Sequence, residues 1–457
     1  MADINVIMEK QRDFFLTGKT RNVSYRKYHL VRLGQSIKRH EQDIYDALKK
    51  DLNKAPFEAY ATEVGMVLDE LRHVLKHINS WAAPKRVPTP LVSFLSFSRI
   101  YSEPYGIALI MSPWNYPFQL TLEPLIGALA AGNCAVVKPS FYSPNTSLII
   151  EEIIHEVFKE EYVTVVQGGR NANQSLLEQK FDYIFFTGSV AVGRTVMEAA
   201  AKHLTPVTLE LGGKSPCIVD ETADIDMAAR RIVWGKFLNA GQTCVAPDYL
   251  LVSPAVKEEL ITRMRKYILK FYGSNPCENE NYPKIINEKH YNRLLKLMEG
   301  ENIVYGGKAS AATSQIEPTI LNHIEWNSRI MQEEIFGPIL PVLEYHNLKD
   351  IIRMINCRPK PLALYYFTRS RANEKMVIKN ISYGGGCIND TVVHLATSRM
   401  PFGGVGESGM GGYHGKSSFD TFSHKKSVLK KVNWIDVPLR YPPYKEAVLK
   451  MVKLIMK

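Results

Sequence analysis

Cysteine is scarce and scattered in this 457-residue chain: Cys134, Cys217, Cys244, Cys277, Cys357 and Cys387, with no C-x-x-C pair. That spacing argues against a disulfide framework and a thiolate metal site, so no metal is expected, and it fits a reducing cytoplasm. Long hydrophobic runs are missing too. No uninterrupted apolar stretch approaches the ~18 residues that span a bilayer, and the opening MADINVIMEKQRDFF is acidic and amphipathic, unlike a secretory signal. Nor is there a dispersed basic surface. Much of the formal net charge of +11 sits in residues 425–457, where nine Lys/Arg meet only Asp436 and Glu446. The rest is close to balanced, which argues against a nucleic-acid partner. Finally, no strand-like run is followed by a G-x-G-x-x-G fingerprint. The literal one, at Gly404, Gly406 and Gly409, follows MPFG and precedes GMGGYHG, so it reads as a loop near a substrate and not as a dinucleotide cradle.

What is present is an ordinary globular balance, 45% hydrophobic and 23% charged, over a length that calls for two or three domains. Residues 1–80 read as helices, with Leu30, Leu33, Ile37, Ile44 and Leu48 spaced among charges. Residues 84–105 are rich in proline and β-formers and read as an extended excursion. Apolar runs then recur at Ile107–Met111, Ala135–Lys138, Val163–Val166, Tyr183–Phe186 and Val207–Glu210, with helix-like segments such as 145–158 and 191–202 between them. This alternation predicts α/β architecture with a doubly wound parallel sheet, whose ligands bind beyond the carboxyl ends of the strands. A second α/β stretch runs from near Lys214 to about 400, and 421–434 is a last extended segment able to pair with 84–105 or with another subunit.

The residues with chemistry fall at those strand ends. Asn115, in SPWNYP, offers an amide N–H to a developing oxyanion, or is a turn asparagine. Lys138 can reach ribose hydroxyls or a phosphate, or simply snorkel. Gly188, Ser189 and Gly193 open a helix where a pyrophosphate can approach, although G-x-x-x-x-G is a weak signal. Glu210 ends an apolar strand just before Gly212 and Gly213; it is either a desolvated base or a structural acid paired with a lysine such as Lys214. Cys244 lies in NAGQTCVAPDY among small residues that leave room for a substrate, which makes it the best nucleophile among the six cysteines; the alternative is a packed thiol. Glu334 and Phe336, in EEIFGP, can hold a ribose and pack on a planar ring, or form an exposed turn.

Together PWNYP, VVKPS, FTGS-x4-G, LELGGKSP, GQTCVAPDY, EEIFGP and PFGGVGESGMG, spread in this order over residues 113–411, resemble the aldehyde dehydrogenase superfamily. The form GQTCVAPDY and LRYPPY near the end resemble its class 3 and fatty-aldehyde branch. The resemblance implies an NAD(P)-binding domain of residues 1–83 and 106–211, a catalytic domain of 212–400, and a bridging and oligomerisation arm with a tail from 84–105 and 401–457. It implies a homodimer and oxidation of medium- or long-chain aliphatic or aromatic aldehydes to acids. Carried over residue by residue, Cys244 is the nucleophile, Asn115 with the Cys244 backbone N–H the oxyanion site, and Glu210 the base that activates water. Trp114, Lys138, Gly188, Ser189, Gly193, Leu211 and Gly212 match cofactor-binding positions, with Glu334 and Phe336 at the nicotinamide ribose. Phe141 departs from the pattern: many members carry there a glutamate that grips the adenosine ribose. Its loss weakens a preference for NAD and removes repulsion against a 2′-phosphate.

Two other activities fit the same residues. An acylating relative would pass the thioester to coenzyme A or phosphate, but Glu210 favours water. A catalytically silent protein is disfavoured by the joint presence of Cys244, Glu210 and Asn115. The tail YKEAVLKMVKLIMK puts Val448, Met451, Val452 and Ile455 on one helical face and Lys450, Lys453 and Lys457 on another. Such a helix can lie on an anionic membrane, cover a substrate tunnel or pack on its own dimer. The expected location is therefore cytoplasmic, with a peripheral membrane contact as the open alternative.

Overall fold

The computed structural model describes residues 4–436 and 440–455. Its first sheet has six strands, in the spatial order Gly409–Met410, Val207–Glu210, Tyr183–Thr187, Ile107–Met111, Cys134–Lys138, Val163–Val165. All neighbours run parallel except the first pair. The chain steps outward from Ile107–Met111 to Val163–Val165, then crosses back to Tyr183–Thr187 on the other side. The order reverses between Ile107–Met111 and Tyr183–Thr187, and that crevice is where an open α/β sheet binds ligands. Every residue of Ile107–Met111, Cys134–Lys138 and Tyr183–Thr187 is buried, as near-continuous apolar strands covered on both faces must be.

Helices Gln119–Ala131, Pro144–Val157 and Val190–Ala201 pack on this sheet, and the N-terminal helices pack on them in turn. Leu30, Leu33, Ile37, Ile44 and Leu48, the apolar positions spaced through 1–80, are all fully buried. A second sheet of seven strands is parallel except at one edge: Asn302–Tyr305, Thr319–Asn322, Ile339–Glu344, Tyr249–Val252, Pro216–Val219, Ala363–Phe367, Gly385–Ile388. A third, antiparallel sheet joins Lys85–Val87, Ser96–Pro104 and Ser423–Lys431, with nine residues of Ser423–Lys431 in register with Ser96–Pro104.

Residues 401–422, which the resemblance groups with the arm and tail, contain the sixth strand of the first sheet. Val207–Glu210 would otherwise end that sheet with unpaired backbone groups. Gly409 and Met410 cover it, opposite Glu210 and Leu209, and the Leu211 amide donates to the Ser408 carbonyl at 3.1 Å. Helix Lys416–Thr421 then packs on Gln119–Ala131, where a Cβ at Gly127 would meet the Ser418 Cβ at 2.7 Å. No helix of the described residues is long and apolar enough to cross a membrane.

The tail forms a helix, Glu446–Ile455. Leu449, Met451 and Leu454 are exposed on it, while Val448 and Val452 are half-buried. Lys457 and the side chain of Ile455 lie outside the described residues.

Candidate active site

Asn115 follows the strand Ile107–Met111 and is buried; its Nδ2 donates to the Gln242 carbonyl at 3.1 Å, two residues before Cys244. One of its two N–H bonds is thereby used to aim the other. Cys244 itself is half-buried. The loop that carries it bends through three successive left-handed residues, Asn239 (φ 51°), Ala240 (φ 51°) and Gly241 (φ 73°). Two of these are not glycine, so the conformation is strained and depends on outside support. Asn239 Nδ2 supplies part of it, donating to the Asn115 carbonyl at 2.8 Å and the Gln242 carbonyl at 3.1 Å. At Gly241 a Cβ would stand 2.2 Å from the Gly337 carbonyl oxygen, so glycine is required there. The close approach seats the Glu334–Phe336 turn against the cysteine loop.

Burial, with Glu334 and Glu210 nearby, pushes the Cys244 thiol up to about 12; the backbone amides of Cys244 and Val245 oppose the rise by hydrogen-bonding the sulfur. A thiol so placed needs a base before it can attack. Glu210 has the character of one. Its side chain is 2 % exposed, neither carboxylate oxygen has a hydrogen-bond partner, and burial alone drives its pKa well above the ordinary carboxylate value. The reading of Glu210 as a structural acid paired with Lys214 is excluded: Lys214 pairs with Asp248 and donates to the carbonyls of Ile330 and Glu333. The glycines of PFGGVGESG pack against this acid. A Cβ at Gly403 would lie 3.2 Å from Glu210 Oε1, and Gly409 is its strand partner. The G-x-G-x-x-G at 404–409 thus walls the buried carboxylate of Glu210.

Cys244 and Thr243 open onto a tunnel of about 130 Å³ whose other walls are largely apolar, among them Met66, Leu120, Trp234, Leu238, Val392 and Phe402. On the other side of the sheet's carboxyl edge lies a cleft of about 770 Å³, lined by Ser112, Lys138, Phe141, Arg170, Glu198 and Lys202 among others. Lys138 Nζ donates to the Pro139 carbonyl at 2.9 Å, and burial brings its pKa down to about 8. Phe141 is 63 % exposed into this space. Ser189 caps the helix Val190–Ala201, accepting from the Val192 amide, and the Gly188 amide donates to the Glu210 carbonyl at 3.0 Å. A Cβ at Gly193 would meet Leu211 Cδ2 at 2.7 Å, so glycine lets the helix start sit flush on that strand end. A helix N-terminus beside a buried ammonium suits a polyphosphate-bearing ligand.

Between the two sheets a third opening of about 460 Å³ is bordered by Gly212, Arg194 and Glu334. Burial, then the nearby Asp248, pushes the Glu334 carboxyl up to about 8, and its oxygens lie where a Cβ on Gly212 would fall. Phe336, also left-handed (φ 48°), packs edge-on against Trp114 with ring centroids 5.4 Å apart. Asn115, Cys244, Glu210, Glu334 and Phe336 are thus brought to one place, with Trp114 against Phe336 and Lys138 in the neighbouring cleft. Among the described residues no group of His, Cys, Asp and Glu is arranged to hold a metal ion.

Several side chains of this site carry no mark in the sequence. Lys54, Glu58 and Glu63 lie in a charged stretch like any solvent-facing one, yet Lys54 and Glu63 are fully buried against the Asn115–Gln119 segment. Tyr116 hydrogen-bonds Thr243, next to Cys244, at 2.6 Å, and it reads from sequence as one more aromatic of a turn.

A parallel α/β frame with a cysteine, a desolvated carboxylate and an amide beside an apolar pocket, next to a large cleft at the strand ends, has the layout of a nucleotide-dependent oxidoreductase. The chain belongs to the aldehyde dehydrogenase family, whose model matches residues 1–428. It is 51% identical over 447 residues to the 4,4'-diaponeurosporen-aldehyde dehydrogenase of Staphylococcus aureus, with 97% of each chain covered. It is 45% identical to the dimeric NADP-preferring aldehyde dehydrogenase of the dog, over 97% of this chain and 98% of that one. A solved structure of S. aureus AldH in its substrate-bound state superposes with a TM-score of 0.98 at 49% identity, covering both chains entirely. The chain is thus an oxidoreductase acting on aldehydes, in the class 3-like branch.

If Glu210 is held as an uncompensated buried carboxyl, it opposes folding at alkaline pH. Its folded pKa is raised, so the unfolded chain releases this proton near pH 4.5 and the folded chain does so later. The resulting stability loss grows by about 1.4 kcal/mol per pH unit above that value until the folded pKa is reached. Glu210→Gln is therefore expected to raise Tm over wild type more at pH 8 than at pH 5, as read by differential scanning calorimetry; an equal gain at both would show that the carboxyl is solvated or paired.

Proposed function

We propose that this protein oxidises medium- to long-chain aliphatic or aromatic aldehydes to carboxylic acids with NAD or NADP. The observation that carries the substrate reading is the small, largely apolar pocket that Cys244 lines. The name of the S. aureus relative, a dehydrogenase of 4,4'-diaponeurosporen-aldehyde, points the same way.

In this mechanism Glu210 takes the Cys244 proton and the thiolate attacks the aldehyde carbon. The oxygen that gains charge is held by Asn115 Nδ2 and the Cys244 backbone N–H. The residues present fit a dinucleotide: Lys138 and the Ser189–Gly193 turn for the ribose and phosphates, with Leu211, Gly212, Glu334, Phe336 and Trp114 around the nicotinamide end. The chemistry the nicotinamide supplies when bound is acceptance of a hydride from the carbon held on Cys244. That carbon is left as a thioester. Glu210 first passes the Cys244 proton to solvent and is a carboxylate again. It then removes a proton from water, the resulting hydroxide adds to the thioester carbon, and the C–S bond breaks to release the acid and the Cys244 thiolate, which can recover the proton from Glu210. The same carboxylate serves twice, which its lack of a competing partner permits.

For this reading each added methylene that enters the tunnel contributes about 0.8 kcal/mol, roughly fourfold. NAD(P)H absorbance with a series from butanal to decanal is expected to show kcat/KM climbing by about that factor per carbon to a plateau, with Cys244→Ala inactive throughout. A flat series would remove the substrate assignment.

Phe141 in the adenosine cleft, with Arg170 and Lys202 nearby, supports use of NADP at least as readily as NAD, and one relative is named NADP-preferring. Steady-state kinetics should give comparable kcat/KM for the two, with Phe141→Glu shifting the ratio toward NAD. A hundredfold wild-type preference for NAD would refute it.

We further propose a homodimer in the cytoplasm, in keeping with the antiparallel arm sheet and the dimeric dog relative. The tail helix rests on an anionic membrane through the face of Val448, Met451 and Val452, with Lys450 and Lys453 on another face toward the lipid headgroups. Deleting residues 445–457 is expected to abolish co-sedimentation with phosphatidylserine vesicles while leaving hexanal kinetics intact; unchanged co-sedimentation would assign the helix to the protein itself.

A further inference from the structure

The described oxyanion donor sits on a loop with no secondary structure of its own, between Met111 and the helix that starts at Gln119. What holds it comes from another part of the chain. Glu63 lies in a π-helical turn, Tyr60–Val64, and such a turn displaces the residues around it from the ordinary helical face. Ala61 and Thr62 of that turn line the substrate tunnel, whereas Glu63 is fully buried. One Glu63 oxygen accepts from the amides of Phe118 (2.8 Å) and Gln119 (3.1 Å); the other pairs with Lys54, also fully buried. Lys54 Nζ donates onward to the Asn115 carbonyl at 3.0 Å and stands 4.1 Å from the centre of the Tyr116 ring. The Asn115 carbonyl therefore receives two donors, Lys54 Nζ and Asn239 Nδ2. Asn239 is anchored from the same segment, because its backbone amide donates to Glu58 at 2.9 Å.

The arrangement has a clear direction. Three ionisable side chains within ten residues of one another grip both loops of the active centre: Lys54 and Glu63 hold Asn115 to Gln119, and Glu58 holds the left-handed start of the cysteine loop. No solvent reaches Lys54 or Glu63, so their attraction is little screened, and neither can leave without stranding the other. We infer that Lys54 and Glu63 are positioning residues for aldehyde oxidation: their ion pair sets the aim of the Asn115 amide at the carbonyl attacked by Cys244. The inference rests on Asn115 acting as the oxyanion donor.

A misaim of this amide matters only when charge builds on the oxygen, so it lowers kcat and leaves aldehyde binding nearly untouched. The test is a cycle built on Lys54→Met/Glu63→Gln, which leaves no charge stranded and keeps an acceptor for the Phe118 and Gln119 amides. With Tm and circular dichroism near wild type, this variant is expected to lose 10- to 100-fold in kcat with KM for the aldehyde within threefold. Alkylation of Cys244 by iodoacetamide, which builds no oxyanion, should keep its rate. Adding Asn115→Ala to it should cost less than threefold more, although Asn115→Ala alone costs at least 100-fold, because the donor is already misaimed. Lys54→Arg is expected to recover part of the loss that Lys54→Met causes. A kcat within threefold of wild type in the folded variant, or full additivity with Asn115→Ala, would overturn the inference. An Asn115→Ala enzyme as fast as wild type would instead remove the oxyanion reading on which it rests. If Lys54→Met/Glu63→Gln does not fold, Lys54→Gln/Glu63→Gln, which likewise strands no charge, carries the same cycle with the same outcomes deciding.

Discussion

Everything in this enzyme hangs on five strands pointing the same way. A parallel sheet sends every strand end to one edge, and there the chain must leave regular pairing and expose loops. Asn115 follows Ile107–Met111, Lys138 closes Cys134–Lys138, Gly188 follows Tyr183–Thr187 and Glu210 closes Val207–Glu210. Had one strand been reversed, its functional residue would lie a strand length away. The second sheet brings its own loops, with Cys244 and the Glu334–Phe336 turn, to face that edge, and Gly241 against Gly337 locks those two loops together. The reacting groups thus belong to distant parts of the chain, but their separation in space is set by sheet geometry.

Much of this was legible from residue order. The apolar runs mark the strands to within a residue or so, because a strand buried on both faces admits almost nothing polar. For the same reason a lysine or glutamate at the end of such a run stands out, and both Lys138 and Glu210 did. Pattern alone did not decide whether Glu210 was paired. Asp248, whose carboxylate takes Lys214, lies 34 residues further on, and nothing in the local sequence reveals that bond. Lys54 and Glu63 were illegible for a related reason. A charge on an amphipathic helix looks solvent-facing unless its partner is known, and a π turn alters which face a residue occupies. The glycine loop at 403–412 was legible as a loop, but not as the partner of a strand, since a two-residue pairing has no periodicity to read.

The electrostatic character of the centre follows from exclusion of water more than from any strong pair. Glu210, Glu334 and Cys244 are all shifted toward their neutral forms, with burial as the leading cause in each. That economy of charge is consistent with the tunnel's apolar walls, which hold an aldehyde without offering it other nucleophiles.

The edge strand Gly409–Met410 has one more consequence, for the order in which a working enzyme comes into being. The strand that ends in Glu210 is made early in synthesis, yet its neighbour in the sheet emerges some two hundred residues later, and the arm strand Ser423–Lys431 later still. Such distant closures form late, because loop entropy must be overcome before their contacts stabilise anything. Until then the strand that ends in Glu210 has an open flank, so the last segment translated is also the one that closes the sheet beside this carboxylate.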